Sequence, residues 1–191
     1  TWTTITTGLP TAASVNRLAI AVTAASSATI YLVAGSAANS GLYRFYKSTN
    51  SGTSFTQITI ASPSNLLGWS NAGSDVGGQS WYDLTIDCSP TNANEVCVGG
   101  VNLWRTTNGG TNWTLNGHWT GSGAPYVHAD QHAMLYLNAT TMLIGCDGGV
   151  FKTTNNGGAW ADLSNNLCIA QMYRIGLSGQ TGSPNFWLTG H

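Results

Sequence analysis

Charge is what this sequence has least of. Six Lys and Arg and seven Asp and Glu make up 7% of 191 residues, with a formal net charge of −1, against about 25% in an ordinary soluble domain. The six basic residues are spread from position 17 to position 174, so they make no basic stripe of the kind that nucleic acid needs. A long helical bundle is excluded too, because its solvent faces need the Glu, Lys and Arg that are missing. No basic segment followed by an apolar core opens the chain, so no signal peptide is expected. Four cysteines are present, none in C-x-x-C spacing. Aromatics, by contrast, supply 10% of the residues, including eight Trp, and Gly accounts for 24 positions. That aromatic content excludes a disordered segment. What remains is a Thr/Ser/Asn/Gly-rich globular chain of one domain, or part of a larger one.

One stretch without charge, residues 18–43, is long enough to span a bilayer on length alone. Its middle, Ala24-Ala25-Ser26-Ser27, divides it into two Ile/Val-rich runs, 18–22 and 29–33. This predicts a buried β-hairpin with a small-residue turn and no membrane insertion.

Three ten-residue segments align without a gap: Tyr46-Lys47-Ser48-Thr49-Asn50-Ser51-Gly52-Thr53-Ser54-Phe55, Trp104-Arg105-Thr106-Thr107-Asn108-Gly109-Gly110-Thr111-Asn112-Trp113 and Phe151-Lys152-Thr153-Thr154-Asn155-Asn156-Gly157-Gly158-Ala159-Trp160. Half of the chain's basic residues occupy one slot of this motif. Asn followed by Gly supplies the positive-φ positions of a tight turn, and the hydroxyl and amide side chains can bond its backbone. The motifs begin at positions 46, 104 and 151, a spacing typical of propeller blades. Two strand-like runs precede each motif and one short run follows it. The fold expected is therefore all-β, a propeller of four-stranded antiparallel blades present as a partial ring. Residues 1–10 read as the end of one blade, 15–60, 80–116 and 127–164 as whole blades, and 172–191 as the start of another. The remaining blades of the same protein are then expected partners.

The pattern Ser/Thr-x-Asn-x-Gly-x-x-Trp resembles the Asp-box, or BNR repeat, of sialidase-like, sortilin-like and xyloglucanase-like propellers, with Asn50, Asn108 and Asn155 standing where Asp is usual. The strings His128-Ala129-Asp130-Gln131-His132-Ala133, Gly145-Cys146-Asp147-Gly148-Gly149-Val150-Phe151 and Gln79-Ser80-Trp81-Tyr82-Asp83-Leu84 resemble a subgroup of secreted bacterial surface proteins. The resemblance implies the fold, but activity has to be argued from a site.

Aligning the innermost strands places Arg17, Asp83, His132 and Arg174 in one slot, which in a propeller faces the mouth of the central channel. Four ionisable groups there suggest a polar pocket for a glycan or another uncharged or anionic ligand. His128, Asp130 and His132 alternate, so on a strand they share a face; the outer two would lie about 13 Å apart, too far for one metal ion without a bend. No metal and no cofactor is expected. Asp75, Asp83, Asp130 and Asp147 are the carboxylates available for glycoside hydrolysis, which needs a flanking pair, and Asp83 and Asp130 are the catalytic candidates. The Arg triad and Tyr/Glu pair of a sialidase are missing. Trp81 and Tyr82, with Trp69, Trp119 and Tyr126, lie in or beside the two longest loops, where their faces can stack on sugars or pin the loops down.

Cys88 and Cys97 flank the turn 89–94 on two paired strands, a geometry that suits a disulfide, and Cys146 and Cys168 could form a second, although four cysteines allow three pairings; an even count fits an extracellular setting. Together these features predict an extracellular or cell-surface binding or adhesion module. Its partner would be a polysaccharide or a surface protein, recognised through Arg17, Trp81, Tyr82, Asp83, His128, Asp130, His132, Asp147 and Arg174. A xyloglucanase-like glycoside hydrolase and a structural component of a surface filament are the alternatives.

Overall fold

The computed structural model describes residues 3–165 and 167, together with the backbone of two strands further on, Arg174–Leu177 and Trp187–Gly190. A single 3-10 turn, Ala12–Ser14, precedes the first strand, and the other elements are strands. The first blade is β1 (Val15–Thr23), β2 (Ser26–Ser36), β3 (Leu42–Ser48) and β4 (Thr56–Ile58). The second is β5 (Thr85–Cys88), β6 (Val96–Gly99), β7 (Leu103–Thr106) and β8 (Thr114–Gly117). The third is β9 (Gln131–Tyr136), β10 (Met142–Cys146), β11 (Gly149–Thr153) and β12 (Ala161–Asp162). Each is an antiparallel meander with its strands in chain order, and β13 (Arg174–Leu177) pairs with β14 (Trp187–Gly190) as the opening strands of a fourth unit would. The innermost strands pack in sequence, β1 on β5 and β5 on β9. This is a partial ring of a β-propeller.

The uncharged run is the β1–β2 hairpin, as its sequence predicts, and no helix among the described residues is long and apolar enough to cross a membrane. The hairpin's second strand is buried on both sides over 31–35, whereas β1 is buried on one side only. Ala19 and Ala21 point into the second blade, and Thr23 donates its hydroxyl to Ser89 O at 2.6 Å. Leu18, Ile20 and Val22 alternate onto the opposite side, 47%, 61% and 66% exposed.

Two cores join the blades. Tyr31, Val33 and Phe45 of the first meet Leu84, Ile86, Cys88, Val96 and Val98 of the second, with Phe45 stacked on Tyr31 at 5.5 Å and edge-on to Trp113 at 5.1 Å. Cys97 and Leu103 meet Tyr136, Met142, Ile144 and Phe151 of the third. Side chains this size contribute about 1.5–3 kcal/mol each when fully buried.

The repeated motif forms the β3–β4, β7–β8 and β11–β12 turns with one set of bonds. Ser48, Thr106 and Thr153 donate their hydroxyls to the Oδ1 of Asn50, Asn108 and Asn155 at 2.8–2.9 Å. The same hydroxyls accept the amides of Gly52, Gly110 and Gly157. Each Asn Oδ1 then accepts a second amide, from Ser54, Asn112 or Ala159. Two consecutive positive-φ residues carry each turn, for example Gly109 at 74° and Gly110 at 102°.

Three expectations change. Cys88 lies opposite Val96, and Asp87 opposite Cys97, so the two thiols leave β5 and β6 on different faces and enter different cores. No disulfide joins them: Cys88, Cys97 and Cys146 are free thiols. Cys168, the expected partner of Cys146, lies outside the described residues. Residues 3–10 carry no strand; Phe55 donates its amide to Thr7 O, and Leu9 packs beside Leu32, Tyr46 and Phe55. Tyr82 and Asp83, read as the start of a strand, instead close a turn in which both amides donate to Gln79 O.

Candidate functional site

Antiparallel topology puts the β2–β3 and β6–β7 connections and the long loops leading into β5 and β9 at one end of the blades. The repeated turns lie at the other end. The sequence-predicted site residues gather at the loop end, the mouth, but not in the slot expected. Pairing sets the true equivalence through a glycine near the mouth end of each blade's second strand: Gly35, Gly99 and Gly145 lie opposite Arg17, Thr85 and Ala133. Gly190 lies opposite Arg174 in the same way. Arg17 and Arg174 are therefore equivalent, while Asp83 precedes the slot by two residues and His132 by one. An irregularity in the pairing next to it, between Gly145 and Cys146, leaves His132 without a paired residue in β10. The side chain of Arg174 lies outside the described residues.

Segment 79–83 is tied to the first blade by Ser80, which is fully buried: its amide donates to Ser40 O at 3.0 Å and its hydroxyl to Asn16 Oδ1 at 3.0 Å. Gly35 leaves the room, since a Cβ there would sit 2.1 Å from the Ser80 hydroxyl. Arg17 secures the same segment from below by donating Nη1 to Tyr82 O at 2.6 Å. So anchored, the turn presents Trp81 to solvent at 66% exposure and holds Tyr82 beneath it, ring centroids 5.5 Å apart.

Tyr82 connects this segment to the third blade. Its hydroxyl donates to Asp147 Oδ2 at 2.8 Å, and its ring meets His132 edge-on at 4.9 Å. His132 Nε2 lies 2.8 Å from Asp147 Oδ1. With that nitrogen engaged, Nδ1 is left for a further hydrogen bond. Tyr82, His132 and Asp147 thus form a fixed polar edge beside the open face of Trp81.

Beneath lies a second, drier cluster. Gln79 donates Nε2 to both Asp83 Oδ2, at 3.1 Å, and Asp130 Oδ1, at 2.5 Å. Asp83 is 1% exposed, and its Oδ1 has no hydrogen-bond partner among the described residues. Burial pushes its carboxyl up to about 7; the Gln79 bond opposes the shift and the nearby Asp130 charge adds to it. Asp130 is also raised, by burial first and then by Asp147, with His132 and His128 opposing.

Asp130 has a positive φ, 67°, and this bend breaks the alternation expected of His128, Asp130 and His132. The His128 ring packs instead against Gly148, where a Cβ would lie 2.3 Å from it. Its Nδ1 is 3.1 Å from Ala129 O. Among the described residues, no three His, Cys, Asp or Glu side chains are gathered as a metal ion requires. Gln79, Ser80 and Asn16 were not singled out by sequence, although the first two lie in the quoted string around Trp81. Gln131 was also missed; it is fully buried and donates to His128 O and Val101 O.

Trp69, Trp119 and Tyr126 belong to a separate exposed group. The carbonyl of Trp69 accepts from Asn102 Nδ2, at 3.0 Å, and from the Trp119 indole, at 3.2 Å, so the two long loops are pinned together. Asp75 is engaged within its own loop, where it accepts the Ser70 amide.

No protein-family model and no curated protein matches the chain. Solved structures do. The GH74 enzyme of Niastella koreensis matches with a TM-score of 0.54 and 21% identity over 86% of this chain. The GH74 xyloglucanase from Xanthomonas campestris matches at 0.55 and 16% over 85%. YCF48 bound to D1 peptide matches at 0.54 and 16% over 90%. The chain spans 24% of each GH74 protein and 47% of YCF48. At these identities the likeness is one of fold: β-propellers of which this chain matches a part.

Proposed function

We propose that the chain is a binding module of an extracellular or cell-surface protein and recognises a glycan at the propeller mouth. The observation that carries this reading is Trp81, an indole two-thirds exposed on an anchored turn, beside the Tyr82–Asp147–His132 edge. A sugar ring offers an apolar face bounded by hydroxyls; the indole suits the first, and the Asp147 carboxylate and His132 Nδ1 suit the second. The neutral, amide- and hydroxyl-rich composition supports a location outside the cell. The similar folds fit a polysaccharide or protein partner, since one solved YCF48 structure holds a peptide and one GH74 protein is a xyloglucanase.

Calorimetry against a panel of soluble polysaccharides tests the reading. Trp81→Ala is expected to weaken binding at least tenfold, about 1.4 kcal/mol, and Tyr82→Phe by less. Undiminished binding in Trp81→Ala removes this surface as the site.

One observation favours glycoside hydrolysis as a second reading: Asp130 is half-buried at the mouth with a raised carboxyl, as a general acid requires. Asp83 is too buried to touch a substrate, so it would act only through Asp130. Release of reducing sugar by the wild type and its loss in Asp130→Asn would establish this reading over binding alone.

A further inference from the structure

Asp83 and Asp130 have no role of their own in the glycan reading, yet they hold its two halves together. The turn carrying Trp81 and Tyr82 begins at Gln79, whose amide reaches across to Asp130 in the loop of the third blade. Asp130 O in turn accepts the Asp147 amide, at 3.3 Å, and so helps to set the carboxylate that Tyr82 and His132 share. One amide nitrogen therefore bridges two carboxyls, one almost wholly buried with an unpartnered oxygen.

A buried carboxylate needs neutralisation or several donors. Among the described residues, Asp147, His132 and His128 act on the Asp130 carboxyl, and the Tyr82 hydroxyl, next to Asp83 in the chain, bonds Asp147. Arg17 is the nearest guanidinium on the first blade, and it is engaged with Tyr82 O. No cation is hydrogen-bonded to either carboxyl among the described residues. Two like charges bridged by a single amide cannot both be ionised without strong repulsion.

We propose that Asp83 and Asp130 hold one proton between them and that its loss loosens the Gln79 bridge, so the mouth is a proton-sensitive clamp on the Trp81–Tyr82 turn. With the proton in place, the pair carries a single charge and the bridge is closed. Without it, the two carboxylates part, and the turn separates from Asp147 and His132. The position of the Asp83 carboxyl, near 7, puts the change at the neutral edge. The folded pair holds its proton more tightly than an unfolded carboxyl, whose pKa is near 4. Stability contributed by the clamp is therefore complete at about pH 4 and falls as pH rises towards about 7.

The clamp acts on the site of the glycan reading, but it can be measured with no glycan present. Amide hydrogen exchange of residues 79–83, corrected for the intrinsic pH dependence of exchange, is followed from pH 5 to pH 8.5 on the whole chain. Protection of Tyr82 and Asp83 is expected to fall at least fivefold across neutrality in the wild type and to stay flat in Asp83→Asn. Asp130→Asn, altered at the more accessible carboxyl, is expected to be equally flat and guards against a folding defect in the first variant. Protection that is pH-independent in the wild type, or a transition that survives in both variants, overturns the proposal. So does a transition abolished by millimolar calcium, because a cation would then be the neutralising group. A normal transition in a protein that binds no polysaccharide would sink the glycan reading and leave the clamp standing.

Discussion

At the residue scale, the three repeated turns show how little a fixed position need have to do with a site. Thr106 is 1% exposed, and its hydroxyl accepts the amides of Asn108 and Gly110 while donating to Asn108 Oδ1. Thr106→Val keeps the shape and removes every one of these bonds, leaving a buried amide unmatched. It is expected to cost about 1–3 kcal/mol in urea unfolding. Asn108→Asp keeps both acceptor bonds of Oδ1 and is expected to stay within about 0.5 kcal/mol of the wild type. Equal losses in the two variants would mean that the amide nitrogen of Asn108 holds the turn as well as its oxygen. The mouth residues behave differently. Trp81, Tyr82, His132 and Asp147 sit on no repeated pattern, and their meeting depends on bonds between segments far apart in the chain.

At the element scale, the contacts that join blades run through backbone approach as well as through side chains. Gly110, at φ 102°, places its Cα so close to Phe45 of the preceding blade that a Cβ would lie 2.4 Å from the ring. Gly110→Ala combines a disfavoured backbone with a displaced aromatic and is expected to lower stability by about 2–4 kcal/mol. Thermal unfolding checks this, and an unchanged midpoint would show that Phe45 moves freely. Strand order and most strand positions were legible in the sequence because turn chemistry and alternation are local signals, Tyr82 and Asp83 being an exception. The meander order, the β3–β4, β7–β8 and β11–β12 turns and the β1–β2 hairpin all appear where they were expected. Register was not legible. The inner-strand slot was aligned on Arg17, Asp83 and His132, but the pairing puts Thr85 and Ala133 opposite the equivalent glycines, offsets that only hydrogen bonding reveals. The Cys88–Cys97 expectation failed for the same reason: adjacency across a hairpin fixes distance, and register fixes the face.

At the scale of the whole molecule, each blade's inner strand turns one side to the blade before it and the other to the blade after it. On β5 both sides are covered. On β1 the side bearing Leu18, Ile20 and Val22 is open, and on β9 the outward side bears exposed Leu135. These apolar sides are shaped like the halves of the interfaces already formed within the chain. The 191-residue chain is therefore expected to self-associate, and Ile20→Lys with Val22→Lys to reduce association at equal concentration in sedimentation. An unchanged association constant would locate the contact elsewhere.

The placement of the identical turns at one end and the dissimilar loops at the other has a consequence for how such a protein can change. A duplicated blade carries its own closing turn, so copying adds a unit whose local folding instructions are complete. Lengthening or rewriting a mouth loop leaves that turn, and the register it closes, untouched. Heritable variation in what the molecule recognises can thus accumulate at one end while the other keeps the ring in repair.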